Sequence, residues 1–214
     1  MARHRKILKE LVAGNPLDHL GDSSVEVRRL AVAASERLGT DALAPLSLLA
    51  ASDPSDDVRA EAVEVLGTLG PAAFDPVMAA AADPAIRVKE AAATALGEIA
   101  NPAAVPWLLE TIAGDGEPLV QEAAIASLGA IGDTRALPAL LDTVRAGKPQ
   151  LRRRSVVALT AFDGPEVEAA LTGALLDRNP MVREVAEMVL GRPPPISRGN
   201  EGRGTSSEGR ATGN

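Results

Sequence analysis

The sequence has 214 residues, a formal net charge of -7, 46% apolar residues and no cysteine. That length suits one ordinary domain or a short repeat array. The acidic balance disfavours nucleic acid and anionic membranes as partners, and the lack of cysteine excludes disulfides, thiolate metal sites and cysteine nucleophiles. Trp107, Phe74 and Phe162 are the only aromatic residues, so the apolar content is mostly Ala, Leu and Val. Such a composition favours closely packed helices over an aromatic-rich core or ligand pocket.

The chain opens with "MARHRKILKELVAGNP", in which cations precede apolar residues as in a signal peptide. Lys6, Lys9 and Glu10 interrupt the apolar run, so no secretory core forms. No stretch of about 18 uninterrupted apolar residues follows either, and the expectation is a cytoplasmic protein with no membrane partner. Residues 1–15 are read as an amphipathic capping helix with Ile7, Leu8 and Leu11 inward.

From residue 16 to 192 the chain repeats. Val27, Val58, Val88, Val120, Leu151 and Val182 are equivalent anchors, spaced 31, 30, 32, 31 and 31 residues apart. Ala or Ser follows each anchor at +4, and Leu at +8 in every unit but the first, which has Ser35. Positions 0, +4 and +8 share one helical face, so each copy is a helix, B, burying a stripe of small and medium apolar side chains. A second apolar segment precedes most copies, with Pro45, Pro76, Pro106 and Pro138 near its start, where a missing N–H costs least. This is helix A. In the first unit "NPLDHLGD" is too short for one. Asp, Ser or Asn in the A-to-B turns are expected N-caps, and Gly39, Gly70 and Gly132 are expected to end B helices. Gly67, Gly97, Gly129 and Gly191 recur at +9, where close approach of a neighbouring backbone is expected. One such hairpin cannot bury its stripe alone, so the units must stack. The predicted fold is an all-α, right-handed α-solenoid of about six helical-hairpin repeats.

A charged pattern accompanies the repeat. Asp22, Asp53, Asp83, Asp115 and Asp177 stand five residues before their anchors, and Arg28, Arg59, Lys89, Arg152 and Arg183 one residue after. Gln121 replaces the cation of the fourth unit and Ala146 the acid of the fifth. The pattern reads as a structural ladder of exposed ion pairs contributing about 0–1 kcal/mol each. The two gaps suggest that Asp115 and Arg152 pair with each other. Arg145, Lys148, Arg152, Arg153 and Arg154 form a local basic patch. Residues 193–214, "PPPISRGNEGRGTSSEGRATGN", are polar and are read as a disordered tail.

"DPSDDVRAEAVEVLGTLG" and "DPAIRVKEAAATALGEIA", with "NPAAVPWLLETI" and "DTRALPALLDTV" ahead of B helices, resemble the short bacterial HEAT repeats also found in phycobilisome-lyase-type proteins. That resemblance implies an armadillo-like helical stack, with B helices lining the concave side and Asp and Arg side chains bridging repeats. It does not imply one activity, because such repeats occur in scaffolds, adaptors, chromophore-lyase subunits and a di-iron hydroxylase. The last needs repeated His-Glu pairs, and no "HE" occurs; no nucleotide-binding loop or G-x-S-x-G motif occurs either.

The function expected from the sequence is a non-catalytic scaffold or adaptor, without cofactor or metal, that binds a partner protein or peptide on the concave face. The alternatives are a lyase-like accessory subunit of a chromophore-attachment enzyme and, with less support, a nucleic-acid-binding HEAT-like protein. Positions +2, +3 and +6 of each B helix point away from the buried stripe. They nominate Arg29, Glu61, Glu64, Glu90, Thr94, Glu122, Arg153, Arg154, Glu184 and Met188 as partner-binding residues. The expected partner presents positive charge to repeats two to four and negative charge to repeat five.

Overall fold

The computed structural model describes residues 13–114 and 116–191. Apart from residues 13–15, the expected N-terminal cap lies outside them, as do the expected tail and Asp115. Eleven α-helices run through the described residues, with no strand among them. The B helices are α1 (Val25–Ser35), α3 (Asp56–Thr68), α5 (Ile86–Ile99), α7 (Pro118–Ile131), α9 (Pro149–Ala158) and α11 (Pro180–Val189). The A helices are α2 (Leu43–Ser52), α4 (Phe74–Ala80), α6 (Val105–Ala113), α8 (Leu137–Ala146) and α10 (Pro165–Ala174). Among the described residues, a short 3-10 turn at Pro16–His19 precedes α1.

The chain is an all-α solenoid of two layers. Each B helix packs on the next B helix and, from the second repeat on, on its own A helix. The periodic stripe is the reason: Val58, Ala62 and Leu66 are fully buried, as are Val88, Ala92 and Leu96. No single hairpin supplies both sides of that interface, so the core is continuous from repeat to repeat. The outer layer is looser. There α2 packs on α4 and α8 on α10, whereas α6 meets the following repeat chiefly through the 3-10 turn Thr134–Ala136. The B layer has the closer inter-repeat packing.

Glycine sets that closeness. A Cβ on Gly67 would fall 2.8 Å from Ala95 Cβ, one on Gly97 2.9 Å from Ser127 Cα, and one on Gly129 2.8 Å from Ala158 Cα. Real Cβ atoms do not sit so near a backbone, so three of the +9 glycines are spacers between successive B helices. Gly191 differs: nothing lies near it, and its φ of +63° marks a left-handed helix end.

The helix ends follow a stricter rule than capping preference alone. Gly39, Gly70 and Gly132, each twelve residues after an anchor, have φ of 57°, 78° and 67°. The third repeat has Ala100 at this position, left-handed at φ 54°. At the A-to-B turns the expected Ser and Asn N-caps are found at Ser24, Ser55 and Asn179, and only the expectation of Asp as an N-cap needs correcting. The N-caps of α1, α3, α5 and α11 are Ser24, Ser55, Ala85 and Asn179. The Asp stands two residues earlier and accepts the N-cap residue's N–H: Ser24 N to Asp22 at 2.8 Å, Ser55 N to Asp53 at 2.9 Å, Ala85 N to Asp83 at 2.8 Å and Asn179 N to Asp177 at 2.7 Å. It shapes the turn rather than capping the helix.

Candidate functional site

At three turns the Asp that closes the turn also receives the cation of the preceding repeat. Arg28 Nε and Nη2 both donate at 2.8 Å to the carboxylate of Asp53; Arg59 reaches Asp83 at 2.8 and 3.0 Å; Arg152 reaches Asp177 at 2.8 and 2.7 Å. In all three the fork is bidentate, the arrangement in which guanidinium and carboxylate planes match. The remaining nitrogen, Nη1, bonds its own turn: Arg28 to Asp22 O, Arg59 to Asp53 O, Arg152 to Gly147 O and Arg183 to Asp177 O. Every rung thus runs from the +1 position of one repeat to the −5 position of the next.

This direction overturns the expected Asp115–Arg152 pair. Asp115 lies outside the described residues, and the Arg152 fork is occupied by Asp177. The two irregular positions, Gln121 and Ala146, belong instead to one rung, which is missing at both ends. Gln121 keeps only the turn-binding half of the role, its Nε2 donating to Gly114 O at 2.7 Å. Burial also exceeds what an exposed ladder implies, since Arg152 is 2% exposed and Asp53 8%. Removing one member of such a pair strands a buried charge at a cost of about 3–5 kcal/mol.

The carboxyls respond accordingly. The Arg59 fork holds Asp83 below the usual carboxylate range, helped by the Ala85 N–H, and the Arg152 fork does the same to Asp177. Burial pushes the Asp53 carboxyl up, but the bonds from Arg28 and the Ser55 N–H outweigh it. The Arg28–Asp53, Arg59–Asp83 and Arg152–Asp177 rungs are thus engaged within the chain.

The B-helix face away from the stripe is different. All six +6 residues, Ala33, Glu64, Thr94, Ala126, Val157 and Met188, are exposed. At +2 and +3 the separation is less clean: Glu61, Glu90 and Glu122 are half-buried, whereas Ala60 and Ala91 are buried between helices. Arg29, Arg153, Arg154, Glu184 and Met188 reach solvent fully or in part.

Across α1, α3 and α5 this face forms one open groove of about 730 Å³. Glu61, Glu64, Glu90 and Thr94 line it, together with Glu36, Thr68, Arg87 and Glu98, which the column reading omits. Thr68 and Glu98 lie at +10, one turn beyond +6, so extending the face by four residues finds them. Glu36 lies at +9, where the next three repeats have glycine. At the α1 end of the groove the chain thus has a carboxylate in place of the spacer glycine.

Two cations stand near these carboxylates. Arg29 donates to Glu61 at 3.0 Å, and Arg87 pairs with Asp57 at 2.8 Å. Burial, then the neighbouring Glu61 carboxylate, raises the Glu64 carboxyl above its ordinary value. Farther along, Glu122 lies 3.9 Å from Arg154. With Arg152 buried in its rung and Arg145 3.6 Å from Asp142, the basic patch does not form one exposed block. Among the described residues no helix is long and apolar enough to cross a membrane, and no three His, Asp or Glu side chains gather as a metal site.

Residues 74–159 match the family of HEAT repeats. No curated protein matches the sequence. Among solved structures the fold resembles YibA of Escherichia coli, with 17% identity over 89% of this chain and 74% of that one and a TM-score of 0.63. It also resembles the CpcE–CpcF complex of phycocyanin lyase from a Nostoc species, with 23% identity over 82% and 74% and a TM-score of 0.63. A computationally designed armadillo repeat protein for modular peptide recognition aligns at 16% identity over 82% and 97%, with a TM-score of 0.55. These likenesses are of fold. The repeat match covers residues 74–159, and the two-layer stack of hairpins around it has the fold that these HEAT and armadillo structures share.

Proposed function

We propose that this chain is a non-catalytic interaction scaffold that docks a cationic segment of a partner protein along the B-helix face, chiefly in the groove of repeats one to three. The observation that carries this reading is the groove's unbalanced charge: Glu36, Glu61, Glu64, Glu90 and Glu98 line it, against Arg87, which is turned to Asp57, and Arg29, which pairs with Glu61. Lys or Arg side chains entering the groove would relieve that repulsion, which favours both encounter rate and partner choice. Farther along, the face becomes small and apolar through Ala126, Val157 and Met188, so an apolar flank on the same segment suits repeats four to six. Glu122 beside Arg154 adds a mixed charge to that stretch, and Arg153 and Glu184 also reach solvent there. The negative partner charge expected opposite repeat five is not part of this reading, because Arg152 and Arg154 already face carboxylates. The modular peptide recognition of the designed armadillo protein supports the same use of a helical-repeat surface.

The test compares two sets of four charge reversals in affinity capture from the source cell, read by mass spectrometry. Glu61, Glu64, Glu90 and Glu98 to Lys should abolish capture of the partner while leaving the helical circular dichroism spectrum intact. Reversing Asp75, Asp142, Glu166 and Glu168, on or beside the A helices, should leave capture unchanged. Equal capture by both variants refutes the groove. Capture by the wild type should also weaken with added salt, since the contact is electrostatic.

A further inference from the structure

We infer that the junction between repeats four and five is a built-in joint of the solenoid, clamped at one end of its B helices and released at the other. At the released end the rung that would link the two repeats is absent from both sides, with Gln121 in place of the cation and Ala146 in place of the acid. The rungs from Arg28 to Asp53, Arg59 to Asp83 and Arg152 to Asp177 are bidentate. Gln121 is not a neutral filler. It is 4% exposed, its amide serves carbonyls of its own repeat, and its Oε1 is buried with no hydrogen-bond partner. The one charged contact crossing near this end is Arg154 to Glu122, at 3.9 Å and with the Arg side chain 43% exposed. Such a contact is worth little.

At the clamped end the same two repeats meet backbone to backbone, Gly129 against Ala158. Arg135 adds a hydrogen bond across the junction to Pro102 O at 2.8 Å. A body fixed at one end and unfastened at the other rotates about the fixed end. The two ends of the array therefore change their relative angle here, at low cost, while the junctions that carry the Arg28, Arg59 and Arg152 rungs stay set. The acidic groove of repeats one to three lies wholly on one side of the joint, and the apolar face of repeats five and six on the other, so the binding face adjusts its curvature to a bound segment. The joint stands whether or not the groove proves to be the docking site.

The absence of cysteine makes the test clean. Spin labels at Glu110→Cys on α6 and Thr172→Cys on α10, both exposed, span two helix layers, about 20 Å at the usual spacing. Distances between them are measured by pulsed electron paramagnetic resonance in three full-length backgrounds: wild type, Q121R/A146D to restore the missing rung, and R152Q/D177A to remove the next one. The expected result is a narrower distance distribution in the restored chain and a broader one in the second. Melting curves of Q121R, A146D and the double variant report whether the new rung forms, through positive coupling between the two changes. An unchanged width with the new rung formed overturns the joint. If the new rung does not form, an unchanged width on removing the Arg152–Asp177 rung overturns it as well, because rungs would then not govern the angle between repeats.

Discussion

Replacing Gly97 by Ala should destabilise the array, although the same change in most helices stabilises it. Gly97 lies inside α5 and is buried. On propensity alone an added methyl gains about 1 kcal/mol. Here the methyl would lie 2.5 Å from Ser127 Oγ, 2.8 Å from its Cβ and 2.9 Å from its Cα. Carbon contacts are optimal at about 3.5–4.0 Å, so α5 and α7 must separate by roughly 0.6–1.1 Å. Moving Ser127 Oγ aside brings no relief, because the Cα is backbone and the hydroxyl donates to Ala93 O at 2.7 Å in the same interface. Overpacking of this kind costs about 1–3 kcal/mol, and loss of the buried hydrogen bond about 0.5–1.5 kcal/mol more. The net loss should be about 1–3 kcal/mol once the propensity gain is subtracted. Gly173→Ala is the control, since it sits in α10 with nothing near the added Cβ and should gain up to about 1 kcal/mol. Urea titrations of the two variants, followed by circular dichroism and by Trp107 fluorescence, measure both; two probes are needed because repeat arrays can unfold in stages. If Gly97→Ala moves the midpoint in the same direction as Gly173→Ala, the glycine column does not set the helix spacing.

The other predictions concern strain, acid and the core. Ala100→Gly should stabilise by about 0.5–1 kcal/mol in thermal melts, because a left-handed Ala costs about 1–2 kcal/mol and the extra chain freedom of Gly returns about 0.4–1 kcal/mol of that. The ladder predicts a distinct acid limb. Asp83 and Asp177 are held below the unfolded value near 3.9, so their contribution is complete above about pH 4 and is lost as pH falls through their folded values. Melting temperature against pH should therefore drop below about pH 4, and Asp83→Asn, already destabilised at neutral pH, should drop less over the same range. Leu96→Ala, at a fully buried site, should cost about 2–5 kcal/mol in urea unfolding, and a loss below 1 kcal/mol would contradict a continuous core at repeat three.

Much of this protein is determined locally. A 31-residue period with Val or Leu, then Ala, then Leu on one face forces a helix that cannot bury itself, and stacking is the only way to cover it. Proline, glycine and Asp recur at set offsets because turn geometry is a matter of a few residues, so hairpin number, helix order and most helix ends were legible in the string. What the string left open depends on distance between repeats. The spacing of Asp and Arg suggests a ladder, but not that Arg28 pairs with the carboxylate of Asp53 ahead while it gives only Nη1 to the Asp22 carbonyl behind. For that reason the gaps at Gln121 and Ala146 looked like two defects, until the three-dimensional register joined them into one missing rung. In the same way, Ala60 and Ala91 occupy columns that point outward on a lone helix, yet they are buried, because the glycine spacers bring the next helix over them. Glu36 has the opposite fate. It is an ordinary surface residue in sequence, yet it stands where later repeats have the spacer glycine, and it lines the acidic groove. Side-chain pattern along one helix decides which face is apolar; how near the neighbouring helix comes decides how much of the remaining face is surface.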